Sequence, residues 1–189
     1  MATETILIRH GQTEWSKNGR HTSVTDLDLL PEGVEAARCL APILRDHHFD
    51  SIWSSPRLRA QATARLALPD AKPTIFEELA EWNYGEYEGV TSAEIHQTVP
   101  DWDLWTDGAP GGETPAQVTE RVDEVCRRLL AEDGKAIIFA HGHILRALAV
   151  RWLGLDIAWG RSFVLSTATM SILGHEGGRP TLNSWNARP

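Results

Sequence analysis

Short apolar runs that end abruptly in polar residues alternate along this chain with longer amphipathic segments. Such runs are typical of buried strands, whereas apolar residues spaced three and four apart are typical of helices. The strands predicted from this pattern are residues 3–8, 51–54, 73–76, 135–140, 169–173 and 180–185. The predicted helices are residues 31–46, 56–68, 114–132 and 144–153, and Pro42 is expected to kink or shorten the first of them.

Strands that alternate with helices predict an α/β fold, here a three-layer α/β/α sandwich with a mostly parallel central sheet. Residues 77–113 interrupt the alternation with several glycines and one short predicted helix, residues 91–98. Connections of this length inside a compact domain are usually lids or binding loops. We therefore expect one domain over residues 1–189, with an elaborated loop region at 77–113.

The net charge of the chain limits the kinds of molecule that it is expected to bind. The chain has 18 basic and 26 acidic residues, a net charge of −8. This argues against nucleic acid or an anionic membrane surface as a partner. No apolar segment approaches the roughly 20 residues that span a bilayer, and no secretory signal is visible, so we expect a cytoplasmic protein. A phosphate site in this acidic chain would need a local cationic pocket.

The first predicted strand ends in Arg9, His10 and Gly11. Ligands of open α/β sheets bind beyond the carboxyl ends of strands, and a permanent cation beside an accessible glycine N–H suits an anion there. A neutral imidazole in this place can also act as a nucleophile. The alternative for an isolated histidine is a structural hydrogen bond to a loop.

A second strand end carries two serines and is followed by Arg57 and Arg59 at the start of a predicted helix. Helix N-termini favour anions, so arginine in the first turn is unfavourable for the helix alone. A bidentate grip on a phosphoryl group would explain it. A solvated side chain remains the alternative for Arg57 and Arg65.

Two further residues suit the same chemistry. Glu81 lies between Leu79 and Trp82, where partial desolvation would raise its pKa and make it an acid near neutral pH. His141 follows the predicted strand 135–140 as His10 follows the first. A histidine at that corner can donate a hydrogen bond to a phosphate and to the charge that develops during transfer.

Residues 7–14, 54–64, 81–89 and 140–147 resemble, in order, the four signature segments of the histidine phosphatase superfamily, the phosphoglycerate mutase-like group. The resemblance covers nearly the whole chain. It implies that His10 is phosphorylated, that Arg9, Arg59 and His141 bind the phosphoryl oxygens, and that Glu81 donates and accepts the proton. The substrate-contacting positions that it implies are Gly11, Ser16, Thr22, Ser23 and Gly142. Many members have asparagine in place of Ser16 and glycine in place of Ser23.

The chain looks most similar to members that are broad-specificity acid phosphatases and sugar bisphosphatases. The resemblance therefore implies a phosphatase for small phosphomonoesters that works through a phosphohistidine without metal or other cofactor. The expected partner is a small phosphorylated metabolite. No sequence feature marks an interface between subunits, so a monomer and a homodimer both remain open.

Three alternatives remain. A mutase would need a cationic insert, whereas residues 90–113 contain no Lys or Arg, so we expect several phosphomonoesters to be accepted and highly charged ones to react more weakly. A metallohydrolase using His10, His141 and His143 lacks the i, i+4 helical spacing of a zinc motif. A non-catalytic binder of phosphorylated ligands would be expected to lack His10 or Glu81.

Overall fold

One six-stranded sheet forms the centre of the molecule. The computed structural model describes the backbone of residues 2–189 and the side chains of residues 4–189. The strands are β1 (Ala2–Arg9), β2 (Ser51–Ser54), β3 (Thr74–Ile75), β4 (Gly134–Ala140), β5 (Met170–Glu176) and β6 (Arg179–Ala187). They lie in the order β3-β2-β4-β1-β5-β6. Strands β1 to β4 are parallel, and β5 runs antiparallel to both of its neighbours.

Helices of very different length connect these strands. They are α1 (Glu14–Asn18), α2 (Pro31–Cys39), α3 (Ala41–Leu44), α4 (Leu58–Ala67), α5 (Ser92–His96), α6 (Leu104–Asp107), α7 (Pro115–Ala131) and α8 (Gly142–Trp152). Short 3-10 segments are Glu77–Leu79, Gly85–Tyr87 and Ile157–Ser162. Within the part of the chain described, no helix is both long and apolar enough to cross a membrane.

Alternate residues of β1 and β4 pack on opposite faces of the sheet. One face is covered by α2, α3 and α4, and the other by α7 and α8. The side chains packed on the first face include Ile6, Ile8, Leu40, Leu44, Ile137 and Phe139. Those packed on the second include Leu7, Val118, Val122, Leu129, Ile138 and Leu148. Burial on both faces explains the continuous apolar runs and confirms the predicted three-layer sandwich.

Several element boundaries differ from the sequence-based ones, and three of the differences concern helices near the strand ends. The helix expected at 31–46 is divided at Leu40, just before Pro42. Helix α4 begins at Leu58 rather than at residue 56, because Arg57 is extended (φ −76°, ψ 137°). Helix α8 begins at Gly142 rather than at residue 144. The loop region 77–113 also holds α6, which the sequence pattern did not reveal.

The turn after β1 packs tightly against α2. A Cβ atom on Gly11 would lie 2.5 Å from the carbonyl oxygen of Gly33, and one on Gly33 would strike the backbone of Gln12. The Gly11 N–H donates to Oγ1 of Thr63 at 2.9 Å. This corrects the expectation that the Gly11 N–H is open to an anion. The glycine is needed instead for a close backbone approach.

Gly33→Ala should lower the free energy of unfolding by about 1–3 kcal/mol, because the added methyl group has no space. The expected fall in Tm is roughly 2–4 °C per kcal/mol, although alanine is the better helix former. Thermal unfolding followed by circular dichroism measures it. Glu35→Ala, at an exposed position on the same helix, is the control. An unchanged Tm for Gly33→Ala would contradict the tight contact.

Candidate active site

Two histidines meet because β1 and β4 are parallel neighbours. Arg9 is paired with Ala140 in the strand register, so the next residue of each strand is a histidine. The His10 backbone N–H donates to the carbonyl of Ala140 at 2.9 Å. The ring centroids of His10 and His141 are 5.1 Å apart. The sheet therefore brings together two imidazoles that are far apart in sequence.

The hydrogen bonds of His10 define its tautomer. Nδ1 donates to the carbonyl oxygen of Gly11 at 2.7 Å, since a carbonyl can only accept. Nε2 therefore carries the lone pair. Burial, followed by the charges of Arg59 and Arg9, lowers the pKa of His10 well below its usual value, and the bond to Gly11 opposes this only in part. The imidazole is neutral, which is the nucleophilic form.

A cavity of about 180 Å³ adjoins His10. Among the residues predicted from the sequence, those that line it are Arg9, His10, Ser16, Thr22, Glu81 and Gly142. Residues not singled out from the sequence also line it, among them Arg20, His21, Tyr84 and Arg146, together with His143. The predicted residues that do not line the cavity are Gly11, Ser23, Arg59 and His141.

The Arg9 side chain lines the cavity and packs against Gly142. Its Nη1 donates to the carbonyl of Leu165, and its buried Nε has no partner among the described residues. A Cβ atom on Gly142 would lie only 3.3 Å from the Arg9 guanidinium carbon. A larger residue would thus crowd the arginine. Burial lowers the pKa of Arg9, but an arginine remains cationic.

Arg59 is buried and holds a loop. Its Nη1 donates to the carbonyl of Thr25 and its Nη2 to that of Thr22, each at 3.0 Å. Both terminal nitrogens of Arg59 therefore already donate to backbone carbonyls. Its Nε is buried and without a partner among the residues described. Arg59 therefore acts on His10 through its charge and orders the wall of the cavity through its hydrogen bonds.

His141 is completely buried and paired with Ser55. The Ser55 hydroxyl lies 2.6 Å from Nε2 of His141, and it also accepts from the backbone N–H of Arg57. Among the described residues the Ser55 hydroxyl proton has no acceptor other than Nε2 of His141, so we assign the hydroxyl as the donor of this bond. Nδ1 of His141 then carries a proton, and this buried group has no partner among the described residues. It is a free donor beside His10. Burial, together with the charge of Arg59, lowers the pKa of His141 well below its usual value.

Glu81 is held at the N-terminus of α8. Its carboxylate accepts from the backbone N–H groups of Trp82 and Ile144 at 2.9 Å and of His143 at 3.0 Å. Leu79 and Trp82 are almost fully buried beside it, as the sequence indicated. Three N–H donors aimed at one carboxylate make its orientation rigid, because helix N-termini bind anions. A residue placed in this way can exchange a proton with a group bound in the cavity.

The polar residues of the loop before α2 are mostly engaged within the protein. Ser16 completes the capping box of α1, whose N-cap is Thr13: its hydroxyl donates to the carbonyl of Thr13 and accepts from the Thr13 N–H. The Thr22 hydroxyl donates to the carbonyl of Arg20. Ser23 is buried, donates its hydroxyl to the Glu81 carbonyl and its N–H to Glu88. Ser23 thereby ties this loop to the segment that carries Glu81.

The sequence contains only weak local signals for Arg20, Tyr84 and Arg146, the cavity residues that it did not predict. Arg146 lies three positions after His143, and the two share one face of a helix only if the helix includes His143, which the predicted helix 144–153 did not. Tyr84 lies three positions after Glu81 in an irregular segment. Arg20 reaches the cavity because its backbone forms a bridge with Thr91. Each placement depends on tertiary structure.

Among the side chains described, no group of three or more His, Cys, Asp or Glu residues is arranged to hold a metal ion. Nδ1 of His10, Nε2 of His141 and Nδ1 of His143 each make a hydrogen bond to another protein group.

Comparisons with known proteins identify the family of the chain. Residues 5–188 match the family described as "Histidine phosphatase superfamily (branch 1)", and the chain belongs to that superfamily. It is 39% identical over 177 residues to an acid phosphatase of Mycobacterium tuberculosis, covering 92% of this chain and 87% of the relative. It is 35% identical over 184 residues to sedoheptulose 1,7-bisphosphatase of Saccharomyces cerevisiae, covering 80% and 68% of the two chains. The solved structure of an open reading frame of Mycobacterium tuberculosis superposes with a TM-score of 0.93 at 36% identity, over 100% of this chain and 99% of that one.

Nitrogen NMR of the His10 imidazole should show one neutral tautomer from pH 7.5 to pH 5.5. Burial lowers its pKa, so the folded protein takes up this proton only at a pH below the usual histidine range near 6.5. Nδ1 should stay protonated and Nε2 unprotonated throughout. His10→Gln identifies the resonance. A titration midpoint at or above pH 6.5 would refute the desolvated, neutral imidazole.

Ser55→Ala should remove the hydrogen bond that fixes the tautomer of the His141 ring. We expect a mixture of ring tautomers by nitrogen NMR and an affinity for inorganic phosphate about 5-fold weaker, since one hydrogen bond contributes about 1 kcal/mol. Ser54→Ala is the matched control, because Ser54 is equally buried but donates to the Ser55 carbonyl. Ser55→Thr should restore both measurements. Equal effects of Ser54→Ala and Ser55→Ala would show a general packing defect.

Proposed function

We propose that this chain is a phosphatase that hydrolyses small phosphomonoesters through a phosphohistidine on His10. The observation that carries the proposal is the hydrogen bond from Nδ1 of His10 to the carbonyl of Gly11. It leaves the lone pair on Nε2, next to the cavity and beside Arg9. Membership of the superfamily, and relatives named acid phosphatase and bisphosphatase, support a hydrolase that acts on phosphate esters.

The first step transfers the phosphoryl group to the enzyme. Nε2 of His10 attacks phosphorus in line, and the bond between phosphorus and the ester oxygen breaks. Glu81 in its protonated form gives its proton to the departing oxygen, so that the leaving group departs as a neutral alcohol. The products of this step are the alcohol, phosphohistidine and the Glu81 carboxylate.

The second step returns the enzyme to its starting state. A water molecule gives a proton to the Glu81 carboxylate and attacks phosphorus. The bond between phosphorus and Nε2 of His10 breaks, and inorganic phosphate leaves. Glu81 ends protonated again, so the net reaction consumes one ester and one water molecule. Each turnover thus uses the same carboxyl group first as an acid and then as a base.

Fixed cations and donors stabilise the phosphoryl group during both steps. Arg9 contributes a guanidinium at the cavity wall, and the charge of Arg59 lies close enough to lower the pKa of His10. The proton on Nδ1 of His141 is a third donor, aligned by Ser55. Preorganised groups of this kind supply the electrostatic stabilisation that a metal ion supplies in other phosphotransferases.

Alkaline quenching after a brief pulse of phosphate-labelled p-nitrophenyl phosphate tests the intermediate. The wild type should carry label on His10, and His10→Ala should carry none and turn over no substrate. Glu81→Gln should accumulate label, because nitrophenolate leaves without a proton whereas attack by water still needs the base. Its steady-state rate should fall by about 10²–10⁴. Glu86→Gln, at an exposed position in the same loop, is the control and should behave as wild type.

The same measurements separate the competing functions. A mutase would return the phosphoryl group to an acceptor and release little inorganic phosphate. A metallohydrolase would lose activity with excess chelator and would carry no label on His10. A non-catalytic binding protein would show neither label nor turnover. Full activity in His10→Ala would overturn the proposal directly.

A further inference from the structure

We infer that the ion pair between Arg121 and Glu113 positions Glu81 for proton transfer, by holding the backbone on both sides of that residue. Neither of these two described residues lines the cavity beside His10. They are therefore positioning residues that act through Glu81. This inference rests on the proposed function, because it gives the ion pair a role in the proton transfers assigned there to Glu81.

The segment that carries Glu81 has little regular structure of its own. Residues 80–84 lie between two 3-10 turns, Glu77–Leu79 and Gly85–Tyr87, and belong to no helix or strand. Helix α8 holds the carboxylate of Glu81 through backbone N–H groups, but not its main chain. A group that exchanges a proton must stay within hydrogen-bond reach of the reacting atoms. The backbone of this segment therefore has to be fixed by contacts from elsewhere in the chain.

Arg121 holds the chain that precedes Glu81. From its place on α7, its Nη1 donates to the carbonyl of Glu78 at 2.6 Å and to that of Ala80 at 2.8 Å. Ala80 is the residue directly before Glu81, so the guanidinium holds the adjoining peptide unit. A planar guanidinium with five N–H donors can bind these carbonyls and a carboxylate together, whereas the ammonium group of lysine cannot.

Glu113 holds the chain that follows Glu81. Its Oε2 accepts from the backbone N–H of Asn83 at 2.8 Å, and its carbonyl accepts from the indole N–H of Trp82 at 2.9 Å. Its own N–H donates to the carbonyl of Asn83 at 2.9 Å. A Cβ atom on the preceding residue, Gly112, would lie 2.2 Å from that carbonyl oxygen. The two residues after Glu81 are thus packed tightly against residues 112–113.

A bidentate ion pair joins these two sets of contacts. Nε of Arg121 donates to Oε1 of Glu113 at 2.9 Å, and Nη2 donates to Oε2 at 2.8 Å. The two side chains are only 16% and 22% exposed. Paired N–H donors on a planar carboxylate fix the orientation of both groups, and solvent screens a mostly buried pair only weakly. A change in either residue should therefore displace the backbone before and after Glu81 together.

A second ion pair of the same kind provides the matched control. Arg151 donates from Nε and Nη2 to the carboxylate of Asp123 at 2.8 and 2.9 Å, and from Nη1 to the carbonyl of Leu155 at 2.8 Å. This pair also involves α7, but its backbone acceptor lies after α8 and not beside Glu81. The same substitution can therefore be made in two equivalent pairs, of which only one holds Glu81.

Arg121→Lys and Arg151→Lys are compared with p-nitrophenyl phosphate as the substrate. Nitrophenolate leaves without a proton, so its release in a single turnover reports attack by His10, whereas the steady state also needs Glu81 as the base. Arg121→Lys should lower the steady-state rate by about 10-fold to 10²-fold and the single-turnover rate by less than about 3-fold, since a displacement near 1 Å has an effect of this size. Labelled phosphohistidine should accumulate. Arg151→Lys should keep both rates of the wild type.

A double-mutant cycle shows whether Arg121 acts through Glu81. In the Glu81→Gln protein, Arg121→Lys should change the steady-state rate by less than about 2-fold, because the group that it positions is already absent. Glu113→Gln removes the acceptor of the Asn83 N–H and should repeat the pattern of Arg121→Lys; it replaces that variant if lysine prevents folding. The inference is wrong if the loss is equal in both backgrounds, if both rates fall equally, or if neither rate falls.

Failure of the proposed function looks different, because the wild type would then carry no label, or Glu81→Gln would turn over as the wild type does. Amide hydrogen exchange measures the placement of the Glu81 carboxylate without turnover. The N–H groups of His143 and Ile144 donate to that carboxylate. Their exchange should be about 5-fold faster or more in Arg121→Lys, the effect of losing one hydrogen bond, and unchanged in Arg151→Lys. Unchanged exchange in Arg121→Lys would refute the positioning role, whatever reaction the protein performs.

Discussion

The parallel pairing of β1 with β4 is the constraint on which the site depends. Its register places Arg9 opposite Ala140, so that both strands end at the same edge of the sheet. The pairing of β2 with β4 does the same for Ser55, whose N–H donates to the carbonyl of Phe139 at 2.9 Å. Three strand ends thus deliver His10, His141 and Ser55 to one edge of the sheet. A shift of register by one residue would turn every one of these side chains to the opposite face.

The start of α8 is the second organising element, and it serves two purposes at once. Its first N–H groups hold the Glu81 carboxylate, while its first two turns direct His143 and Arg146 into the cavity. Gly142 favours this arrangement, because a Cβ atom there would lie 3.3 Å from the guanidinium carbon of Arg9 and would crowd it. The Glu81 carboxylate and this wall of the cavity are therefore positioned by the same few residues. Their relative geometry cannot change without moving the helix.

The sequence was sufficient for features that are encoded locally. The strands are evident because both of their faces are buried, and His10, Glu81 and His141 follow apolar signals that are visible in the chain. The contacts of Gly11 and Arg59 were not predictable, because Gly33 and the carbonyls of Thr22 and Thr25 reach them only after folding. Arg146 was hidden for a similar reason: it becomes a site residue only when α8 begins at Gly142.

In this cavity the arginines carry the positive charge, whereas the histidines are neutral. The pKa values of His10, His21, His141 and His143 are all lowered, chiefly by burial, so these imidazoles are neutral donors or acceptors. A protonated His10 would have no lone pair for phosphorus. The positive charge must therefore come from groups that cannot lose their protons under ordinary conditions, and arginine is the one side chain that meets this requirement. In a chain of net charge −8, a few buried arginines concentrate positive charge at this cavity and, together with burial, lower the pKa of His10.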